Sequence, residues 1–178
     1  PVRQPLGSIT HHVIVAEDIS ERKFAESTIR HLAFYDPLTE LPNRRLFRDR
    51  IEVMANAATR ERHSFGLLYM DLDRFKTVND TLGHSIGDRL LQAAARRMQS
   101  FLRKGDTLAR LGGDEFALII ADLEHADNLV DVAEKLIDVM RAPVELDGHS
   151  LFVSVSIGIA IYPQDCDERD IDGLIKNA

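Results

Sequence analysis

The stretch that most narrows what this chain can fold into is Thr107 to Ile120, two short apolar runs placed around Gly112-Gly113. Thr107-Leu108-Ala109 stands upstream and Ala117-Leu118-Ile119-Ile120 downstream. Glycine reaches positive-φ turn conformations without steric penalty, so the stretch predicts a β-hairpin. A plain hairpin has no need of Asp114 and Glu115 side by side on its turn. Their mutual repulsion asks for a cation, and bare glycine backbone beside two acids suits a metal-bound phosphate lying close to the main chain. A surface turn with solvated acids is the simpler alternative, and the turn alone does not separate the two.

A second segment adds the third acid. Phe65-Gly66-Leu67-Leu68-Tyr69-Met70 is an unbroken apolar run closed by Asp71-Leu72-Asp73. A run of this length without alternation suits a central strand covered on both faces. Period-two geometry puts Asp71 and Asp73 on one side and Leu72 on the other. Asp73 can cap the helix that follows, whereas Asp71 ends a buried strand, where an acid is costly unless a cation pairs with it. If this strand neighbours the hairpin, Asp71, Asp114 and Glu115 converge at one sheet edge. Three close acids raise one another's pKa; with Mg²⁺ they form a site for phosphoryl chemistry, the arrangement used by polymerase palms and nucleotide cyclases. The sequence holds no Cys/His cluster of zinc type and no P-loop pattern.

The rest of the chain supplies the frame. Ser8 to Glu17 reads as a strand, and Asp18-Ile19-Ser20 caps a helix running to Phe34, with Ala25, Ile29 and Leu32 on one side. Pro37 and Pro42 break the helical pattern between Asp36 and Arg45. A helix follows with Phe47, Ile51, Met54, Ala55 and Ala58 on its buried face. Asn79 to Asp88 is polar, punctuated by glycine and loop-like, and leads into a long helix buried through Ile86, Leu90, Ala94, Met98 and Phe101. His84 and Asp88 stand at i and i+4, so both can point into one pocket. After the hairpin come a helix with Leu129, Ala133, Leu136, Ile137 and Met140 inward, a turn from Pro143 to Gly148, an alternating strand from Ser150 to Tyr162, and a final helix from Ile171. Strands interleaved with helices and one central hairpin predict an α/β (α+β) fold, a mixed sheet with flanking helices.

Composition sets outer limits. A length of 178 residues suits one compact domain with an attached piece. The formal charge of -7, from 29 acids against 22 Lys plus Arg, argues against broad binding to nucleic-acid backbones but not against one nucleotide neutralised by Mg²⁺. No apolar run reaches the ~18 residues of a membrane span, and no signal peptide opens the chain. The first residue is Pro1, so the chain is expected to be a piece of something longer. A single Cys166 fits a reducing compartment.

Four segments, in order, carry a resemblance. They are Asp36-Pro37-Leu38-Thr39 with Leu41-Pro42-Asn43-Arg44-Arg45, Asp71-Leu72-Asp73-x-Phe75-Lys76, Asn79-Asp80-x-x-Gly83-His84-x-x-Gly87-Asp88, and Arg110-Leu111-Gly112-Gly113-Asp114-Glu115-Phe116. Over roughly residues 34 to 178 the chain resembles the GGDEF family, the diguanylate cyclase domain. The resemblance implies a palm-like sheet similar to that of class III nucleotide cyclases. It also implies a reaction between two facing GTP-loaded copies, giving cyclic di-GMP and two pyrophosphates. By position, Asp71, the Leu72 carbonyl and Asp114 would hold Mg²⁺ or Mn²⁺, and Glu115 would serve a second metal or deprotonate the 3′-hydroxyl. Asn79 and Asp88 would read guanine with His84 nearby, Phe75 and Lys76 would meet the triphosphate, and Gly112 and Gly113 would give it room. Arg103-x-x-Asp106 resembles the family's product-inhibition site; a basic helix end before Gly105 is its plain alternative. Residues 1–19 resemble the end of a PAS-like sensor, 20–35 a signalling helix and 36–178 a GGDEF domain cut short at its C-terminus, where the family carries a further phosphate-holding helix. The expected setting is a cytoplasmic homodimer, with any membrane anchor outside this piece. The alternative is a catalytically silent module that binds GTP or cyclic di-GMP in a tandem GGDEF–EAL protein.

Overall fold

The structure, a computed structural model, describes residues 2–3, 9–11, 17–123, 125–167 and 170–178. The chain divides into two units, 1–31 and 32–178. In the first, β1 (Val2–Arg3) pairs antiparallel with β2 (Ile9–His11), and α1 (Ser20–Phe34) runs on into the second unit. The Asp18 carboxylate accepts a hydrogen bond from the Ser20 amide at 2.9 Å, the expected cap. Of the strand expected over residues 8–17, Ile9–His11 is described; residues 8 and 12–16 lie outside the described residues.

The second unit runs α2 (Arg44–Glu61), β3 (Ser64–Leu72), α3 (Phe75–Leu82), α4 (His84–Gln99), β4 (Thr107–Gly112), β5 (Glu115–Leu123), α5 (Asp127–Arg141), β6 (Val144–Leu146), β7 (His149–Leu151), β8 (Val155–Tyr162) and α6 (Ile171–Asn177). The main sheet has the order β4-β5-β3-β8, so the apolar strand β3 is interior, as its unalternating sequence requires. The α+β class, the palm-like sheet and the flanking helices are as expected. Within the sheet the expected mixture of directions resolves to antiparallel at all three pairings.

Alternation along β3 divides the core in two. Leu68, Met70 and Leu72 face α4 and α5, packing with Leu90, Ala94, Met98, Leu129 and Leu136. Phe65 and Leu67 face α2 and α6, packing with Phe47, Ile51, Ala160 and Leu174. Phe65 stacks on Tyr162 of β8 with ring centroids 4.9 Å apart. With helices on both faces, the interior strands β3 and β5 are buried along most of their length, and one end of the sheet carries the acids.

Two expectations change. Asn79–Asp88, read as a loop, is helical on both sides of Gly83, where φ of +86° turns the chain from α3 into α4. Polar composition hid the buried Phe75 and half-buried Val78 and Leu82, which give α3 its inner face. The single strand expected from Ser150 to Tyr162 is β7 and β8 with a break at 152–154. There the Ser154 carbonyl accepts from the Asp73 amide at 3.0 Å, outside the strand ladder.

Candidate active site

The hairpin closes with Gly112 opposite Glu115, which leaves Gly113 and Asp114 as the turn. Gly113 has φ of +53°, a left-handed conformation suited to glycine. A Cβ added at Gly112 or Gly113 would meet nothing within 4 Å, so space lies above the turn. Asp71 sits at the end of β3 directly between Glu115 of β5 and Ser156 of β8. The Leu72 amide donates to the Asp114 carbonyl at 3.3 Å, which fixes the turn against the end of β3. The three acids anticipated from the sequence thus share one edge.

Each acid has a distinct environment. Burial, and then the charges of Asp114, Glu115 and Asp73, push the Asp71 carboxyl up from its ordinary value. Asp73 accepts from the Ser154 and Ser156 hydroxyls, which hold its carboxyl low. Asp73 is therefore tied down in the sheet while Asp71 carries an unrelieved charge. Glu115 accepts from Arg44 Nη2 at 3.0 Å, and the Tyr69 hydroxyl is pushed up from its ordinary value by burial and then by Glu115. Arg44 Nε donates to the Leu111 carbonyl at 3.1 Å, so one guanidinium spans both sides of the turn.

A second arginine holds the turn from within. Arg110 donates to both carboxylate oxygens of Asp36, at 3.0 and 3.1 Å, and to the Gly113 carbonyl from Nε and Nη2, at 3.0 and 2.8 Å. Asp36 also accepts from the Thr39 amide and hydroxyl. Burial raises its carboxyl, but the bonds from Thr39 and Arg110 and the charge of Arg110 outweigh burial and hold it below the ordinary range.

Among the described residues, no three His, Cys, Asp or Glu side chains are gathered closely enough to hold a metal ion by themselves. The donors at the edge nevertheless fit Mg²⁺ or Mn²⁺. Asp71, Asp114 and the Leu72 carbonyl are hard oxygens, and Mg²⁺ typically takes one or two carboxylates and completes its shell with water and phosphates.

The other anticipated residues fall into two groups. The Phe75 ring is buried in the core, and Lys76 is exposed beside it. On the same pair of helices His84 and Asp88 are exposed on the first turns of α4. Asn79 Oδ1 is buried without a partner. A Cβ at Gly87 would come within 1.9 Å of it, so this glycine is what lets the amide lie against α4. An orphaned buried acceptor costs about 1–3 kcal/mol, which a ligand donor would recover. Arg103 and Asp106 lie at the far end of β4, roughly 20 Å along the strand from the turn. Asp106 Oδ2 accepts from the Arg103 amide at 3.0 Å. Both line a cavity of about 480 Å³ together with Asp122, Asn128, Asp131 and Lys135.

Sequence reading missed Arg44, Arg110, Ser154 and Ser156. Their bonds to Glu115, Asp36 and Asp73 join residues 71 to 83 positions apart, and no local spacing signals such a pair.

Comparison with known proteins agrees with this geometry. The chain matches the GGDEF family, described as diguanylate cyclase, GGDEF domain, over residues 33–178. It is 46% identical over 145 residues to MucR of Pseudomonas aeruginosa, a bifunctional diguanylate cyclase/cyclic di-GMP phosphodiesterase, covering 82% of this chain and 21% of MucR. The solved GGDEF domain of TpbB from the same organism has a TM-score of 0.77 at 41% identity, covering 81% of this chain and 83% of that one. The coiled coil and GGDEF domain of DgcB from Caulobacter crescentus, solved in complex with c-di-GMP, has a TM-score of 0.73 at 26% identity, covering 80% and 76%. The chain spans between 20% and 33% of the length of the first curated relatives it matches.

Proposed function

The chain belongs to the GGDEF family of diguanylate cyclase domains, and on that premise we propose that it condenses two GTP into cyclic di-GMP and two pyrophosphates. In each half-reaction a 3′-oxygen bonds the α-phosphorus of the other GTP as the bond to pyrophosphate breaks. The observation that carries the proposal is the register: Asp71 and Glu115 are cross-strand neighbours, and Asp114 is pinned to Leu72.

In this reading Asp71, Asp114 and the Leu72 carbonyl hold Mg²⁺ or Mn²⁺, and Glu115 serves a second metal or accepts the 3′-proton. A divalent ion held there stabilises charge on the phosphates in the transition state. Gly112 and Gly113 leave the phosphates room above the turn, and Lys76 adds a positive charge. Asn79 and Asp88 accept from the guanine edge, with His84 close by. Gly87→Ala is expected to push the Asn79 amide from its seat and weaken GTP binding about ten-fold, one buried hydrogen bond's worth. Calorimetry with a non-hydrolysable GTP analogue measures this, and unchanged affinity would remove Asn79 from the guanine site.

Because each copy presents one such edge, the reaction needs a homodimer. Residues 20–35 would provide the signalling helix, on which Phe24, Ile29 and Leu32 are exposed, and residues 1–19 the remnant of a PAS-like sensor. Among the described residues no helix is long and apolar enough to cross a membrane; the proposed setting is the cytoplasm. The 480 Å³ cavity at Arg103 and Asp106 would take cyclic di-GMP as an inhibitor. A second reading, a catalytically silent GTP- or cyclic di-GMP-binding module of a tandem protein, is favoured by a relative 35% identical over 161 residues, NbdA of Pseudomonas aeruginosa, which is named as a cyclic di-GMP phosphodiesterase alone.

The test is incubation with GTP and Mg²⁺, with chromatography of the products. The chain is expected to form cyclic di-GMP, Glu115→Ala to lose at least ~100-fold in rate, and Arg103→Ala to keep synthesis while escaping product inhibition. GTP binding without product in a folded dimer would favour the silent module.

A further inference from the structure

We propose that Arg44 is the resident counter-ion of the carboxylate edge: it holds Glu115 while no divalent ion is bound and yields it when one arrives. This rests on the metal reading of Asp71 and Asp114, with Glu115 serving the second ion.

The position of Arg44 has no rationale in the helix that carries it. Arg44 is the first residue of α2, after the Asn43 cap, and that first turn contains no acid. A cation there opposes the helix dipole, which favours acids at the N-terminus. The adjacent Arg45 has another role, lying over the Phe34 ring at 5.0 Å from its centroid. The Arg44 fork instead bridges the Leu111 carbonyl before the turn and the Glu115 carboxylate after it. Its charge thus falls on Glu115, the cross-strand neighbour of Asp71, where a cation offsets repulsion.

Exposure separates this pair from the other arginine at the turn. Side-chain exposures of 59% for Arg44 and 40% for Glu115 make theirs a solvated ion pair, easily exchanged. Arg110 and Asp36, at 11% and 17%, form a sheltered pair that does not let go. Arg110 fixes the backbone of the turn, and Arg44 lends a single positive charge that a doubly charged ion can replace. Arg44 is in this sense a positioning residue, acting through Glu115.

The experiment is titration of the chain with Mn²⁺ alone, followed by electron paramagnetic resonance of the free ion, with folding checked by thermal unfolding. Arg44→Ala is expected to bind Mn²⁺ roughly five-fold more tightly, as removal of one exposed ion-pair competitor allows. Arg44→Lys, which retains the charge, is expected to stay within about two-fold of the parent. In a Glu115→Gln background, Arg44→Ala is expected to change Mn²⁺ affinity by less than about two-fold, since no competition remains. Equal or weaker Mn²⁺ binding by Arg44→Ala overturns the proposal. So does full five-fold tightening in the Glu115→Gln background, which would mark a general field effect, and so does no Mn²⁺ binding by parent and variant alike. None of these readings needs turnover. Cyclic di-GMP formation with unchanged Mn²⁺ affinity would sink this proposal and leave the cyclase standing; the expected affinity changes without product would do the reverse.

Discussion

An Asp71→Asn chain is expected to be slightly more stable than the parent and to make almost no cyclic di-GMP. The two effects have one cause. Asp71 is held up from its ordinary carboxyl value by burial and then by Asp114, Glu115 and Asp73. A group whose pKa is raised on folding contributes stability below its unfolded pKa and loses it as pH rises through the folded value. At neutral pH the ionised Asp71 is therefore a cost to the fold. Its side chain is exposed, so solvent screens much of that cost, and asparagine should recover only a few tenths of a kcal/mol. For a unit of this size that is a melting-point rise of about 1 °C. The difference should be fully present at pH 8 and vanish below about pH 3, where Asp71 is protonated in both states. Activity moves the other way, by at least ~100-fold, because the amide gives up the charge that holds the metal against the phosphates. Calorimetry across about pH 3 to 8 and product chromatography measure the two arms. A lower melting point at pH 8 would make Asp71 a structural residue, and retained synthesis would move the metal site elsewhere.

The sequence was legible at this edge because the relevant signals are local. An apolar run without alternation marks an interior strand, period two places Asp71, and Gly-Gly between apolar runs marks the turn that brings in Asp114 and Glu115. The helical character of α3 was missed because Asn79, Asp80 and Thr81 outweigh Val78 and Leu82 in any count of polarity, although Phe75 anchors the segment in the core. The break before β8 was missed because Ser154 fits the alternation perfectly well. It leaves the ladder only because Asp73, 81 residues earlier, takes its hydroxyl. The same holds for both arginines. Arg44 and Arg110 read as helix-start and hairpin residues, and their partners lie 71 and 74 residues away. What stayed hidden is the set of ion pairs that tertiary contact alone creates, and these decide how rigid the turn is.

Arg110→Ala follows from that rigidity and is expected to cost about 3 kcal/mol, the range for breaking a sheltered ion pair by removing one partner. Spread over the unit of residues 32–178, this lowers the melting point by about 6–12 °C. The loss exceeds that of an exposed pair for two reasons. Asp36, with a side chain only 17% exposed, is left with the Thr39 bonds alone, and the Gly113 carbonyl loses two donors at once. Asp36→Asn should be milder, because the amide keeps one acceptor for Arg110 and the guanidinium still holds the Gly113 carbonyl. The pH dependence has the opposite sign to that of Asp71. Asp36 is held below the ordinary carboxylate range, so its contribution is present above the unfolded value near 4 and is lost as pH falls through the lower folded one. The stability gap between the parent and Asp36→Asn should therefore be constant from pH 8 to about pH 5 and close in stronger acid. Calorimetry of the three chains over that range is the measurement, and a melting-point drop under 2 °C for Arg110→Ala would show the pair to be incidental. Synthesis assayed well below the melting point separates stability from geometry. With Gly113 unheld, Asp114 keeps its place against the end of β3 by the Leu72 bond alone, and Arg110→Ala should lose activity even while fully folded.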